Sequence, residues 1–195
     1  MRAGVLRYLL WMLPGMGLGL AGYLCLFPWR RRRLRARGLG SGGAREAGVL
    51  LLSLYAGGLA GLTLCPNPSW LSAGLLGQWA PYFGGGPLAR RMNWIPFSQG
   101  DSLFNTLGNV AMFVPFGFFG ALLWRGWHWR RALGTGFAVT AFVECWQILT
   151  GRCFDIDDIL LNALGVLLGF FLWRGLAARA PGLVRPFYAR ENEET

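Results

Sequence analysis

Uncharged, mostly apolar runs separated by links into which arginine is gathered decide what this chain can become, because about 20 apolar residues in a helix span the hydrocarbon of a bilayer. Such runs occupy 8–29, 47–65 and 103–124, and a fourth, 132–150, is interrupted only by Glu144. A fifth, 159–173, is shorter. At about 1.5 Å per residue it covers about 22 Å, so Arg174 is expected to snorkel or the aspartate-rich segment before it to dip into the protein. With 54% hydrophobic residues and a mean hydropathy of +0.39, the chain is too apolar for a water-soluble domain. The expected fold is all-α, a polytopic helical membrane bundle of about five transmembrane helices.

The arginines orient the bundle, since short, positively charged loops stay in the cytoplasm. The first link carries Arg30, Arg31, Arg32, Arg33, Arg35, Arg37 and Arg45, the third carries Arg125, Arg130 and Arg131, and the tail carries Arg174, Arg179, Arg185 and Arg190. Five spans put all three on one face, with the N-terminus outside and the C-terminus in the cytoplasm. The organisation expected is an N-terminal transmembrane helix and basic loop over 1–46, a helical membrane domain over 47–178 and a cytoplasmic tail over 179–195. A net charge of +10 could suggest nucleic acid, but the basic residues sit beside helix ends rather than in a groove, so membrane lipids are the expected partner and nucleic acid is not. Arg2 and Arg7 ahead of a hydrophobic run also resemble a secretory signal. The length of the run, and its ending at Pro28-Trp29 before four arginines, favour a retained helix.

Gly15 and Gly19, Gly57 and Gly61, and Gly165 and Gly169 are each four apart, a spacing that lets helix backbones approach; packing within the chain is favoured over homodimerisation. Cys25 and Cys145 fall inside helices, while Cys65 and Cys153 fall near the outer face, where a bridge is conceivable. His128, between Trp127 and Trp129, reads as a solvated neighbour of interfacial tryptophans, which disfavours a histidine zinc site or a Ser-His-Asp triad. No motif calls for a cofactor. Between the second and third runs, the Pro- and aromatic-rich segment 66–100 is expected to lie on the outer leaflet, with a short helix around 71–79, as a lid or one wall of a ligand site.

Threading the runs antiparallel collects the polar residues at one edge. Asn105 and Asn109 share a face near the start of the third helix, Glu144 and Gln147 a face near the end of the fourth, and Asp158 and Asn162 a face at the start of the last. A carboxylate at Glu144, about 9 Å inside its helix end, must be neutral, paired or wetted. Its bland role is helix glue, bonded to the asparagines; Arg152 is its natural charged partner. One of Asp155, Asp157 and Asp158 would suffice to cap the last helix, so three exceed that need, whereas Asp101 reads as a cap. Glu144, Asp155 and Asp158 could hold a divalent cation, although no spacing demands it. Pro115 is expected to free a carbonyl one turn earlier and kink its helix.

Asn93-Trp-Ile-Pro96-Phe97, then Asn105-x3-Asn109-x3-Phe113-x-Pro115-Phe116-Gly117, Glu144-x2-Gln147 and Arg152-x2-Asp155-x2-Asp158-x3-Asn162-x2-Gly165-x3-Gly169 together resemble the VanZ-like family over about 91–173. The resemblance implies a small bacterial multi-helix membrane protein of the plasma membrane. The family's namesake is associated with low-level resistance to teicoplanin, a glycopeptide directed at cell-wall precursors. It supplies no reaction.

Two functions follow as expectations. In the first, Asn105, Asn109, Glu144, Gln147, Arg152, Asp155, Asp158 and Asn162 line an outward pocket that engages a lipid-linked wall precursor or a lipophilic glycopeptide, with helix N-termini and Arg152 favouring anionic groups. In the second, the protein is a membrane-embedded hydrolase or transferase with Glu144 or Asp158 as general base and Asp155 helping to hold a cation. Transport is disfavoured because the inner halves of the helices are almost wholly apolar.

Overall fold

The computed structural model describes residues 2–64, 92–97, 103–149 and 154–191. Five long helices dominate: α1 (Arg2–Arg35), α2 (Gly43–Leu64), α3 (Leu103–Leu123), α4 (Trp129–Leu149) and α5 (Ile156–Arg179). A short helix α6 (Pro181–Val184) and a 3-10 turn (Arg185–Phe187) follow. Four two-residue strands, β1 (Leu39–Gly40), β2 (Met92–Asn93), β3 (Phe154–Asp155) and β4 (Arg190–Glu191), tie the ends together. β1 pairs antiparallel with β4, and β2 parallel with β3.

By length and composition, four described helices can cross a membrane: Met12–Arg35 within α1, then α2, α3 and α5. The fourth helix, α4, equals α3 at 21 residues and carries Arg130, Arg131, Glu144 and Gln147. The last helix is longer than its uncharged stretch suggests. It runs 24 residues through Arg174 to Arg179, about 36 Å at 1.5 Å per residue, so a short apolar core does not make a short helix. α1 likewise continues through Pro14, Pro28 and the arginine run.

Small residues set how closely the helices pack. A Cβ on Gly15 would lie 2.1 Å from the Gly57 carbonyl oxygen, and one on Gly19 2.1 Å from that of Ser53, so α1 and α2 touch backbone to backbone. α3 and α5 meet the same way: a Cβ on Gly169 would lie 2.0 Å from the Val114 oxygen, and one on Gly117 1.9 Å from the Val166 oxygen. The paired glycines are thus used within the chain. Around these contacts Phe113 and Val166 are fully buried, with Leu59, Ala121, Ala132 and Phe170 beside them. α3 stays helical through Pro115, and the Tyr55 hydroxyl of α2 donates to the Met112 carbonyl at 2.6 Å, next to the carbonyl that the proline leaves unbonded.

The two ends of the bundle differ in chemistry. At the arginine-rich end, buried Arg45 on the first turn of α2 donates to the Leu123 carbonyl that ends α3 and, at 3.1 Å, to the Phe187 carbonyl beyond α5. Arg30 pairs with Glu46, which also accepts from the Tyr23 hydroxyl at 3.0 Å. These contacts bring the start of α2 and the ends of α1, α3 and α5 together, as antiparallel threading requires. His128 is exposed in the α3–α4 link, and its Nδ1 accepts from the Arg131 N–H at 3.4 Å. Cys25 and Cys145 are exposed free thiols; Cys65, Cys153, Asp101 and most of 66–100 lie outside the described residues, and with them the short helix and the bridge considered above.

Gly169→Ala is expected to cost about 1–3 kcal/mol by forcing α3 and α5 apart. Gly17→Ala, where nothing lies within 4 Å, is expected to be neutral or slightly stabilising. Thermal unfolding of the two variants in detergent checks the contrast.

Candidate functional site

The polar end is organised by the first turn of α5. Asp155, with extended backbone (φ −129, ψ 121), caps the helix: its carboxylate accepts from the Asp157 N–H at 3.0 Å. The same carboxylate takes the Asn93 side-chain amide at 3.1 Å, where β2 and β3 run side by side with Asn93 opposite Asp155. Asp157 is 2% exposed, and both of its oxygens accept from the Phe97 N–H, at 2.9 and 3.0 Å. Trp94 tilts over Phe154 with ring centroids 4.7 Å apart. Two of the three aspartates therefore clasp residues 93–97 onto the start of α5.

Asp158 turns the other way and accepts from the Asn109 side chain of α3. One turn further along α5, the Asn162 amide donates to the Thr140 hydroxyl of α4 at 2.8 Å; Asn162 is 5% exposed and Thr140 fully buried. Glu144, one turn from Thr140, is 1% exposed, and its Oε2 accepts from the Asp155 N–H at 3.0 Å. The glue role considered for Glu144 thus has a backbone partner, while Asn109 and Asn162 pair with Asp158 and Thr140. Gln147 donates to the Thr63 carbonyl at 3.3 Å and Trp146 to the Leu64 carbonyl at 3.0 Å, so α4 supplies side chains to the last carbonyls of α2. Those carbonyls have no partner inside their own helix, which is why amide and indole donors are useful there.

Of the residues singled out by sequence, Asn109, Glu144, Gln147, Asp155, Asp158 and Asn162 take part in this lattice at one end of the bundle. Asn105 is exposed one turn before Asn109, and Arg152 lies outside the described residues. Asn93, Thr140 and Asp157 were not among the candidate ligands. Thr140 could have been found from its place one turn before Glu144 on the same face, and Asp157 from its place between two aspartates already singled out. Among the described residues no three Asp, Glu, His or Cys side chains come together as metal ligands. Their bonds explain it: Asp155 is turned to Asn93 and its own helix, Asp158 to Asn109, and Glu144 to a backbone N–H.

One atom stands outside the lattice. Among the described residues, the Asn162 Oδ1 is buried without a hydrogen-bond partner. Exchanging the amide's two ends does not remove the deficit, because Thr140 can satisfy only one of them.

A family model described as VanZ/LLP1 matches residues 52–178, well over half of the chain. The match begins inside α2 and ends one residue before α5 does, so it contains the whole lattice and leaves out α1 with its arginine link. No curated protein and no solved structure matches the chain.

Glu144→Ala strands the Asp155 N–H and is expected to cost about 1–3 kcal/mol, whereas Glu144→Gln keeps an acceptor oxygen and costs less. Thr140→Val is expected to cost a similar amount by leaving both ends of the Asn162 amide unpaired, and Asn162→Leu to be neutral or stabilising. Unfolding midpoints in detergent check all four; a stable Glu144→Ala protein would contradict the assigned bond.

Proposed function

The chain belongs to the VanZ/LLP1 family, and from that premise we propose that the polar end of its helical membrane bundle engages a lipid-linked or lipophilic ligand of the cell envelope. The ligand class is a lipid-linked cell-wall precursor or a glycopeptide that bears a lipid. The membrane is the bacterial plasma membrane, with the N-terminus and the polar end outside and the C-terminus in the cytoplasm. Asn105, Asn109, Glu144, Gln147, Arg152, Asp155, Asp158 and Asn162 are the proposed contact residues.

The observation that carries this reading is Glu144, 1% exposed near one end of a membrane bundle, with Asp158, Asn109 and Asn162 around the same helix junction. An ionisable side chain inside a membrane protein is expensive, and a functional reason for it is the default. Capture accounts for the side chains without bond making, because several of the acids already accept hydrogen bonds from side-chain amides and backbone N–H groups.

The test measures binding of teicoplanin and of purified lipid II to the protein in nanodiscs, for wild type, Glu144→Gln and Asp158→Asn. Each variant is expected to fold and to bind at least one of the two about tenfold more weakly, a loss of about 1.4 kcal/mol. Equal binding by wild type and both variants would overturn the assignment. Turnover of lipid II by the wild type, lost in Glu144→Gln, would favour the hydrolase or transferase reading.

A further inference from the structure

Among the described residues of the polar end, the turn Trp94-Ile95-Pro96-Phe97 is apolar and exposed: Trp94 is 61%, Ile95 69% and Phe97 72% exposed. It is also held hard. Phe97 is the one described non-glycine residue with a positive φ, 57°, a conformation that a bulky side chain resists. Both oxygens of buried Asp157 grip its N–H, the Asn93 Oδ1 accepts from the Ile95 N–H at 3.3 Å, and Asn93 in turn bonds Asp155. Two carboxylates and a strained backbone are thus committed to presenting three large apolar side chains outward.

The surface that the turn adjoins says what receives them. Leu103, Phe104 and Leu107 on the first turns of α3 are 72%, 64% and 58% exposed, and Leu160, Leu164 and Leu168 are exposed every fourth residue along α5, from the turn above Asp157. On spanning helices such apolar faces meet lipid. The turn is bonded to the start of α5, which Asp158 ties to Asn109 of α3, and tryptophan favours the interface that borders such lipid-facing helix ends. We propose that Trp94, Ile95 and Phe97 form a fixed wedge that enters the leaflet at the polar end and anchors the start of α5 between headgroups and acyl chains. The occupant is bilayer lipid, and the wedge is independent of whichever ligand the polar end takes up.

The experiment uses the full chain in phosphatidylglycerol–phosphatidylethanolamine nanodiscs. The difference in emission between wild type and Trp94→Phe isolates Trp94, and Phe97→Trp placed in the Trp94→Phe chain gives a second reporter on the same turn. Both reporters are expected to lose most of their emission to lipids brominated near the glycerol end of the acyl chain and little to aqueous iodide. Strong iodide quenching with no effect of brominated lipid would put the turn in water and overturn the wedge. Resistance to both quenchers would mean that protein covers it, and would overturn the wedge equally.

Discussion

Hydrocarbon offers no hydrogen bonds, so every polar group carried into it must be met by another group of the same chain. That constraint shapes the polar end of the bundle. α5 begins with an aspartate-rich turn, and its three carboxylates leave in three directions: Asp155 to Asn93 and its own helix, Asp157 to Phe97 and Asp158 to Asn109. Glu144 takes the N–H of Asp155 itself, just ahead of the helix. Through these bonds a single helix start fixes the position of α3, α4 and residues 93–97.

The opposite end obeys the same rule with the opposite charge. Arg45 is buried among the carbonyls that end α3 and follow α5, where a cation complements the negative helix terminus. Between the ends, glycines replace polar bonds with backbone contact, because lipid tails give apolar side chains no reason to leave them and close packing must do the work. The division is economical: Gly15, Gly57, Gly117, Gly165 and Gly169 bring helices together in pairs, and the polar ends set which pair stands beside which.

Much of this could be read from the residues alone. The helical runs, their antiparallel order and the gathering of Asn109, Glu144, Gln147, Asp158 and Asn162 at one edge follow from hydropathy and the 3.6-residue period. Helix length did not follow, because Arg174 and Arg179 lie in α5 and Arg30 to Arg35 in α1, and charges that end an apolar run need not end a helix. Partners did not follow either. A carboxylate chooses among every N–H within reach, and the choice of the Asp155 N–H by Glu144, or of the Phe97 N–H by Asp157, depends on how a parallel two-residue pairing joins residues more than 60 positions apart in the chain, such as Asn93 and Asp155. Thr140 was hidden for a simpler reason: a threonine in an apolar helix ordinarily bonds its own backbone, and here it meets Asn162 instead.

Among the described residues of this end, the Asn162 Oδ1 is a buried side-chain acceptor that the lattice leaves unpaired. A leucine there would spare the bundle that cost, whereas an asparagine keeps its bond to Thr140 between α5 and α4. Phe97 keeps a strained backbone with its ring exposed. Both features carry a folding cost at the same end of the molecule, one in an unmet acceptor and one in backbone strain.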